Sequence, residues 1–384
     1  MVIDRWGRGD YNELMKTLHV DGERTWRGGE QQALYLATGL KARGHEAVVA
    51  CQPASPMAER ARAAGLDVVE VSMRGEADFR AVLALRRIIR RGKFDIVHMH
   101  TSHAHALGCS AAALARRGRT IVSRRVDFPV AGNLISGLKY RHGVDRFIAI
   151  SEAVKAVLVA GGVAPAKVAV VHSGIDLARF EGVTAGSLRE EFAIPPDAVV
   201  LVNVAALVDH KGQRYLLAAM PRVLAAEPKA RLFIVGEGEL RGALEAQASE
   251  LGITGAVTFT GFRPDVAQWL ALCDVFVMSS HLEGLCTSVL DALALRRPVV
   301  ATRAGGLPEI VRHEATGLLV PPREPEPLAD AIVRLVRDRE LGRGLGEGGR
   351  RLVENEFSAE SMIEGTLRVY REVMDEGPTG RSEA

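Results

Sequence analysis

Long hydrophobic runs are missing from the 384 residues. No window approaches the roughly 18 uninterrupted apolar positions that a membrane-crossing helix needs. The first residues are polar and charged, unlike a secretory signal, so the chain is expected to stay in the cytoplasm. Cysteine is scarce, at four copies. Cys51, Cys109, Cys273 and Cys286 lack metal-ligand spacing and sit among apolar or small neighbours, which predicts reduced thiols rather than a metal module or a disulfide framework. A large net charge is also lacking, the total being +2.

What remains is the composition of an ordinary globular protein, 47% hydrophobic and 25% charged, so disorder is not the theme. The length is roughly twice that of a common single domain, and two compact domains are expected. The charge is unevenly placed. Residues 16–175 carry 24 Lys and Arg against 13 Asp and Glu, while residues 176–384 carry 23 against 31. Basic clusters fall at Arg86, Arg87, Arg90, Arg91 and Lys93, and at Arg116, Arg117 and Arg119. They are either solvated helix ends or a surface for an anionic leaflet or a phosphorylated acceptor.

Apolar, β-rich runs alternate with segments of helical period, the pattern of βα units and parallel sheets. Strands are predicted at Thr17–Val20, Ala47–Cys51, Val68–Val71, Ile96–Met99, Thr120–Ser123, Phe147–Ile150 and Val168–Val171. A second series follows at Val199–Val204, Leu232–Val235, Val257–Thr260, Val275–Met278, Val299–Thr302 and Leu318–Val320. The fold class is therefore α/β, with two consecutive doubly wound domains. Residues 1–14 read as a disordered extension, 15–180 as the first domain, 188–355 as the second, and 356–376 as a last helix. The tail 377–384 also reads as disordered.

Several strand-end loops carry candidate chemistry. The first strand leads through Asp21 to Gly28 and Gly29 before a helix near Gln31; paired glycines there either let backbone approach a phosphate or serve a tight turn. No Gly-x-Gly-x-x-Gly run follows this strand, which argues against a nicotinamide dehydrogenase. The segment Ser279–Leu293 sets Glu283 on a loop and Asp291 inside the following helix. Carboxylates suit sugar hydroxyls, and the amides of residues 285–288 at the helix start suit a diphosphate. Loops at Val208–Gly212, Gly236–Glu239, Gly261–Asp265 and Ala304–Glu309 share one sheet edge. Lys211 is placed to neutralise phosphate charge, and Arg263 or Phe262 to pack on a base.

Together these residues resemble the retaining GT-B glycosyltransferases of family 4, over nearly the whole chain from Met15 to about Met374. The resemblance implies two facing Rossmann-like domains, the first holding the acceptor and the second the sugar nucleotide, with the last helix crossing back to the first domain. It implies a donor site of Gly28, Gly29, Lys211, Gly236, Arg263, Glu283, Leu285, Cys286, Thr287, Ser288 and Asp291. Within it Lys211 stabilises the leaving diphosphate, Glu283 binds the transferred sugar and Asp291 the ribose. The family needs no divalent metal or other cofactor, and no Asp-x-Asp occurs in this sequence. Two positions depart from its pattern: Asp291 stands where glutamate is usual, and Ala206 where an arginine commonly precedes the lysine.

The function expected is transfer of a hexose-type sugar, with retention, from a nucleotide diphosphate sugar to a cell-envelope glycan or lipid-linked acceptor, as in lipopolysaccharide or polysaccharide assembly. Charge on the departing β-phosphate is the main barrier, and Lys211 with the helix amides would offset it. No carboxylate nucleophile is evident opposite, so front-face displacement is the expectation. For His98-Met99-His100-Thr101-Ser102-His103-Ala104-His105 three readings stay open: acceptor binding, polar packing at a strand end, or a metal site. His100 is a catalytic candidate; His98, His103, Arg124, Arg125 and Asp127 are acceptor candidates. The partners expected are the donor, the acceptor and an anionic membrane surface, with no nucleic acid. The alternatives are a non-catalytic nucleotide-sugar-binding protein and an epimerase or phosphorylase relative.

Overall fold

The computed structural model describes residues 14–128, Tyr140 and 143–376. The expected extension at 1–14, Leu14 excepted, and the tail 377–384 lie outside the described residues. Among the described residues thirteen strands form two sheets, both wholly parallel. The first holds β1 (Lys16–Val20), β2 (Glu46–Cys51), β3 (Asp67–Glu70), β4 (Ile96–Met99), β5 (Arg119–Arg124), β6 (Arg146–Ala149) and β7 (Val168–Val170), in the order β3-β2-β1-β4-β5-β6-β7. The second holds β8 (Val200–Val204), β9 (Arg231–Val235), β10 (Val257–Gly261), β11 (Val275–Met278), β12 (Val299–Thr302) and β13 (Leu318–Val320), in the order β10-β9-β8-β11-β12-β13.

Helices cover both faces, so the central strands are buried and rich in apolar residues; β4, β11 and β12 have no exposed residue. Strand order reverses between β1 and β4 and again between β8 and β11, and the crevices beyond the carboxyl ends at these points are where such sheets bind ligands.

The chain returns to the first domain through the Ala359–Asp375 helix, which buries Ile363, Leu367, Tyr370 and Val373. It lies against the Gly28–Ala42 helix, where a Cβ on Gly39 would stand 2.3 Å from Ile363 Cδ1. A larger residue there would force the Ile363 side chain to shift. Ile175 N–H donates to Phe357 O at 2.9 Å and Ala359 N–H to Ile175 O at 2.8 Å, tying the crossover to the segment after β7.

Candidate functional site

In the second domain the loop after β11 leads into a helix at Thr287–Ala294. Glu283 on this loop meets Lys211, Nζ to Oε2 being 2.5 Å, with the side chains 17% and 11% exposed for lysine and glutamate. Ser280 Oγ also donates to Glu283, at 3.2 Å. Burial pulls the Lys211 ammonium down, and the Glu283 carboxylate more than reverses this, so its pKa stands above the ordinary value.

Glycines bring the backbone together here. Gly212 follows Lys211 at φ +66°, and a Cβ on it would stand 2.2 Å from Ser279 O. Gly305 has φ +50°, and its Cβ would fall 1.8 Å from Glu283 O. Glycine is required at both positions.

The Gly28–Ala42 helix begins three residues earlier than the sequence suggests, so Gly28 and Gly29 form its first turn rather than a loop before it. Gly28 faces the other domain: a Cβ there would lie 3.3 Å from Thr287 Oγ1. Two helix starts from different domains thus converge, each with first-turn amides that have no intrahelical partner. No side chain caps the Thr287 helix.

The structure corrects part of the expected donor cradle. Cys286 Sγ pairs with Ser288 Oγ at 3.2 Å, Ser288 Oγ pairs with Val204 O at 3.1 Å, and Leu285 is buried. The Leu285 and Cys286 side chains pack inward, leaving their backbone for a ligand, while Ser288 is half-buried with its hydroxyl proton committed to Val204 O; burial pushes the Cys286 thiol up to about 11. Arg263 is likewise committed. Its guanidinium bonds Asp265 and Glu191, at 2.7 Å to each, and lies over Phe192 and Trp269, so it braces the Leu188–Glu191 segment rather than a base. Exposed Phe262 is the side chain of that loop free to stack. Gly236, at φ +146°, packs against Ala205 O, where a Cβ would stand at 2.1 Å. Asp291 Oδ1 is buried without a hydrogen-bond partner, and burial, partly offset by Arg179, raises its pKa to about 7.

In the first domain the strand-end polar residues divide sharply. His98 is 1% exposed, with Nδ1 on Tyr370 Oη at 2.7 Å and Nε2 on Ser123 Oγ at 2.8 Å. Both nitrogens are taken, so His98 is packing and not an acceptor contact. Arg124 binds Val126 O, Phe128 O and Tyr140 Oη, and braces its own loop. His103 is exposed.

Arg125 and Asp127 do reach the cleft. Arg125 O would be 2.6 Å from a Cβ on Gly284, and Asp127 Oδ2, buried without a partner, 3.0 Å from one on Gly305. Burial pushes Asp127 up, while its own amide and that of Glu283 oppose the shift. A cavity of about 330 Å³ opens beside Arg125, lined among others by Glu23, Arg27, Glu30, His100 and Tyr140.

Two buried groups escaped the sequence reading. Asp21 has an unpartnered Oδ2, and burial pushes it to about 7. His19 stands beside His98 across the β1–β4 pairing, completing a group with His98 and His100 whose ring nitrogens all lie within 4.8 Å. The signal was available: Thr17 and His19 on one strand, and His98 and His100 on its neighbour, alternate at the two-residue period of a strand face. Burial lowers His19 to about 3 and holds His98 and His100 well below the ordinary histidine value, with Arg125 adding to both. His19 and His100 hydrogen-bond each other, His19 also reaches Thr17 Oγ1, and the Arg125 guanidinium lies against His100 Nδ1 at 3.4 Å, a positive charge that disfavours a cation there.

Known proteins share this architecture. The Glycosyltransferase Family 4 profile matches residues 26–179, and that of Glycosyl transferases group 1 matches residues 198–338. The chain is 35% identical over 181 residues to the lipopolysaccharide core biosynthesis glycosyltransferase LpsE of Rhizobium meliloti, a match covering 47% of this chain and 52% of LpsE. It is 30% identical over 309 residues to EpsD of Bacillus subtilis, which carries a glycosyltransferase name; the match covers 76% of this chain and 80% of EpsD. Among solved structures, HepE of Anabaena in complex with UDP superposes with a TM-score of 0.82 at 20% identity, over 93% of this chain and all of HepE.

Proposed function

The chain belongs to the family 4, group 1 glycosyltransferases, and on that premise we propose a retaining, metal-independent enzyme that moves a hexose-type sugar from a nucleotide diphosphate to a cell-envelope glycan or lipid-linked acceptor. The observation that carries the reading is the buried Lys211–Glu283 pair on the loop that leads into the Thr287 helix, whose start meets Gly28 of the other domain. The helix amides and the Lys211 ammonium take the charge that grows on the departing diphosphate. Glu283, held by Lys211, accepts from sugar hydroxyls, and Asp291 from the ribose. The second domain grips the donor and the first holds the acceptor. Front-face displacement lets the leaving phosphate receive the acceptor proton.

The name of LpsE supports a lipopolysaccharide-type acceptor. The surface of the first domain supports work at a membrane. Along the Phe79–Gly92 helix, Phe79 and Leu83 are 64% and 43% exposed beside Arg87, Arg90 and Arg91, and Leu114 continues the strip with Arg116 and Arg117. Apolar side chains ringed by arginines suit an anionic leaflet. No helix among the described residues is long and apolar enough to cross a membrane.

The test is a panel of UDP, GDP and ADP sugars with EDTA present, read by melting temperature and nucleotide release, for the parent and Glu283→Ala. One donor should stabilise the parent and be slowly hydrolysed, and the variant should lose both effects. Binding without any release, even with acceptor extracts, would favour the non-catalytic reading, which the Ala206 and Asp291 departures also favour.

A further inference from the structure

The cavity beside Arg125 holds an arginine in an unusual state. Arg125 Nε is buried with no hydrogen-bond partner, and its one recorded contact is Nη2 to His100 Nδ1 at 3.4 Å. No carboxylate lies within ion-pair distance of it among the described residues. Asp21 and Glu30 act on it only from beyond ion-pair distance, and burial outweighs them and lowers its pKa to about 10. A bound oxyanion in direct contact would offset that cost.

The contact with His100 also fixes a direction. Guanidinium only donates, so His100 Nδ1 accepts and its Nε2 carries the proton. That Nε2–H donates to His19 Nδ1 at 3.1 Å, so the His19 proton is on Nε2, which donates to Thr17 Oγ1 at 3.0 Å. Thr17 O–H in turn donates to Glu46 O at 3.1 Å. Every member has one role only, and the chain ends on a backbone carbonyl within the sheet. Protonating either ring would break it and set a second cation against Arg125.

We propose that this cavity takes an acceptor carrying a phosphoryl group bound on Arg125, and that His100 is the positioning residue holding the guanidinium toward it. The proposal rests on the transferase reading and names the acceptor class of that site. Two more features fit. The cavity, about 330 Å³, is within the usual range for small-ligand sites. Of the acids around it, Glu30 and the neighbouring Asp21 are raised by burial and so oppose an incoming anion less than free carboxylates would, while Glu23, also on the lining, is only half-buried. His100, expected from sequence to be catalytic, acts here through Arg125.

The experiment uses the full chain saturated with the nucleoside diphosphate it binds best, so that the donor site is filled. Inorganic phosphate, a hexose 6-phosphate and a short-chain phosphatidate are titrated by calorimetry. The parent should bind all three, and the tighter of the two organic probes separates a soluble from a lipid source. Arg125→Gln should weaken binding roughly tenfold or more. His100→Gln should weaken it several-fold, whereas His100→Asn, whose carbonyl oxygen takes the place of Nδ1, should stay within about twofold of the parent. Long-range proton–nitrogen spectra of histidine-labelled protein should show Nε2–H on both His19 and His100. Parent protein that ignores all three probes, or Arg125→Gln that binds them as well as the parent, overturns the site. An Nδ1–H tautomer on His100 overturns its positioning role. If the parent binds and hydrolyses a donor yet ignores the phosphates, only this proposal fails; if no donor binds, the transferase reading fails.

Discussion

Replacing Lys211 by methionine separates the structural from the catalytic part of its pairing with Glu283. Both partners are largely buried, at 17% and 11% side-chain exposure. Removing the ammonium leaves a carboxylate whose remaining support is Ser280 Oγ at 3.2 Å. Breaking a buried pair by deleting one partner costs about 3–5 kcal/mol, and the retained hydroxyl bond puts this case near the lower figure. For a domain of this size about 3 kcal/mol is a fall of roughly 6–12 °C in melting temperature. Adding Glu283→Gln removes the orphaned charge, and the double variant should recover to within about 1 kcal/mol of the parent. Activity should follow neither value. Both variants lose the cation at the leaving diphosphate and should fall about 10²–10³-fold in nucleotide release. Calorimetry and a coupled nucleotide assay check the two halves. A single variant that melts with the parent refutes the burial reasoning, and one that keeps turnover within threefold refutes the role of Lys211.

Asp291 has a folded pKa of about 7 against an ordinary 3.8, so the native state holds its proton longer than the unfolded chain does. That contribution to stability is complete below pH 4 and is lost as pH rises through 7, so Asp291→Asn should flatten the melting temperature across this window. Ribose hydroxyls need the ionised form. Donor affinity of the parent, measured by calorimetry, should therefore weaken by up to about tenfold per unit below pH 7, while the asparagine variant should show weaker, pH-independent binding. Gly28→Ala keeps an allowed helical backbone and should leave stability unchanged within about 1 kcal/mol. Its Cβ, 3.3 Å from Thr287 Oγ1, should nonetheless cut nucleoside diphosphate affinity severalfold in the same titration. Reversing Arg87, Arg90 and Arg91 to glutamate should abolish sedimentation with anionic vesicles, at about 1 kcal/mol per charge, and the parent's binding should fall with salt. Equal binding by the triple variant would remove the membrane surface from the proposal.

The strands were legible because a parallel strand covered on both faces can only be an apolar run, and each of the thirteen cores was bounded by turn residues. The loops carrying Lys211, Glu283 and Asp291 were legible for a related reason: they are the polar, glycine-bearing breaks at the carboxyl ends of those runs. What stayed hidden depended on partners far away in sequence. Arg263 looks like a free base contact until Glu191, from the segment before β8, closes on it. Cys286 and Ser288 look like donor ligands until their side chains turn inward toward β8. His98 could be assigned only once Tyr370 of the returning helix and Ser123 of β5 claimed both its nitrogens. The helix start at Gly28 was misread because glycine is a poor helix former, yet at the first turn, where the amides have no helical partner, that weakness matters little.

The contacts across the cleft suggest why the two halves of the site belong to one step. Among the described residues they include Gly28 against Thr287, Arg125 O against Gly284, Asp127 against Gly305, and the edge of Phe128 on His210 with centroids 5.5 Å apart. The strongest is Glu309, which accepts from the amides of Glu152 and Ala153 at 3.0 and 3.2 Å and from His172 at 2.8 Å. Burial pushes the Glu309 carboxyl up, but these donors more than offset it and hold its pKa below the ordinary value. A Cβ on Gly28 would already touch the Thr287 hydroxyl, so under the transferase reading a diphosphate at these two helix starts needs a wider gap than the structure shows. Arg125 and Asp127 meet the Glu283 loop in this arrangement. Under the transferase reading, an acceptor anion on Arg125 and a sugar on Glu283 therefore favour the same closed arrangement, and each raises the chance that the other is present when the glycosidic bond breaks.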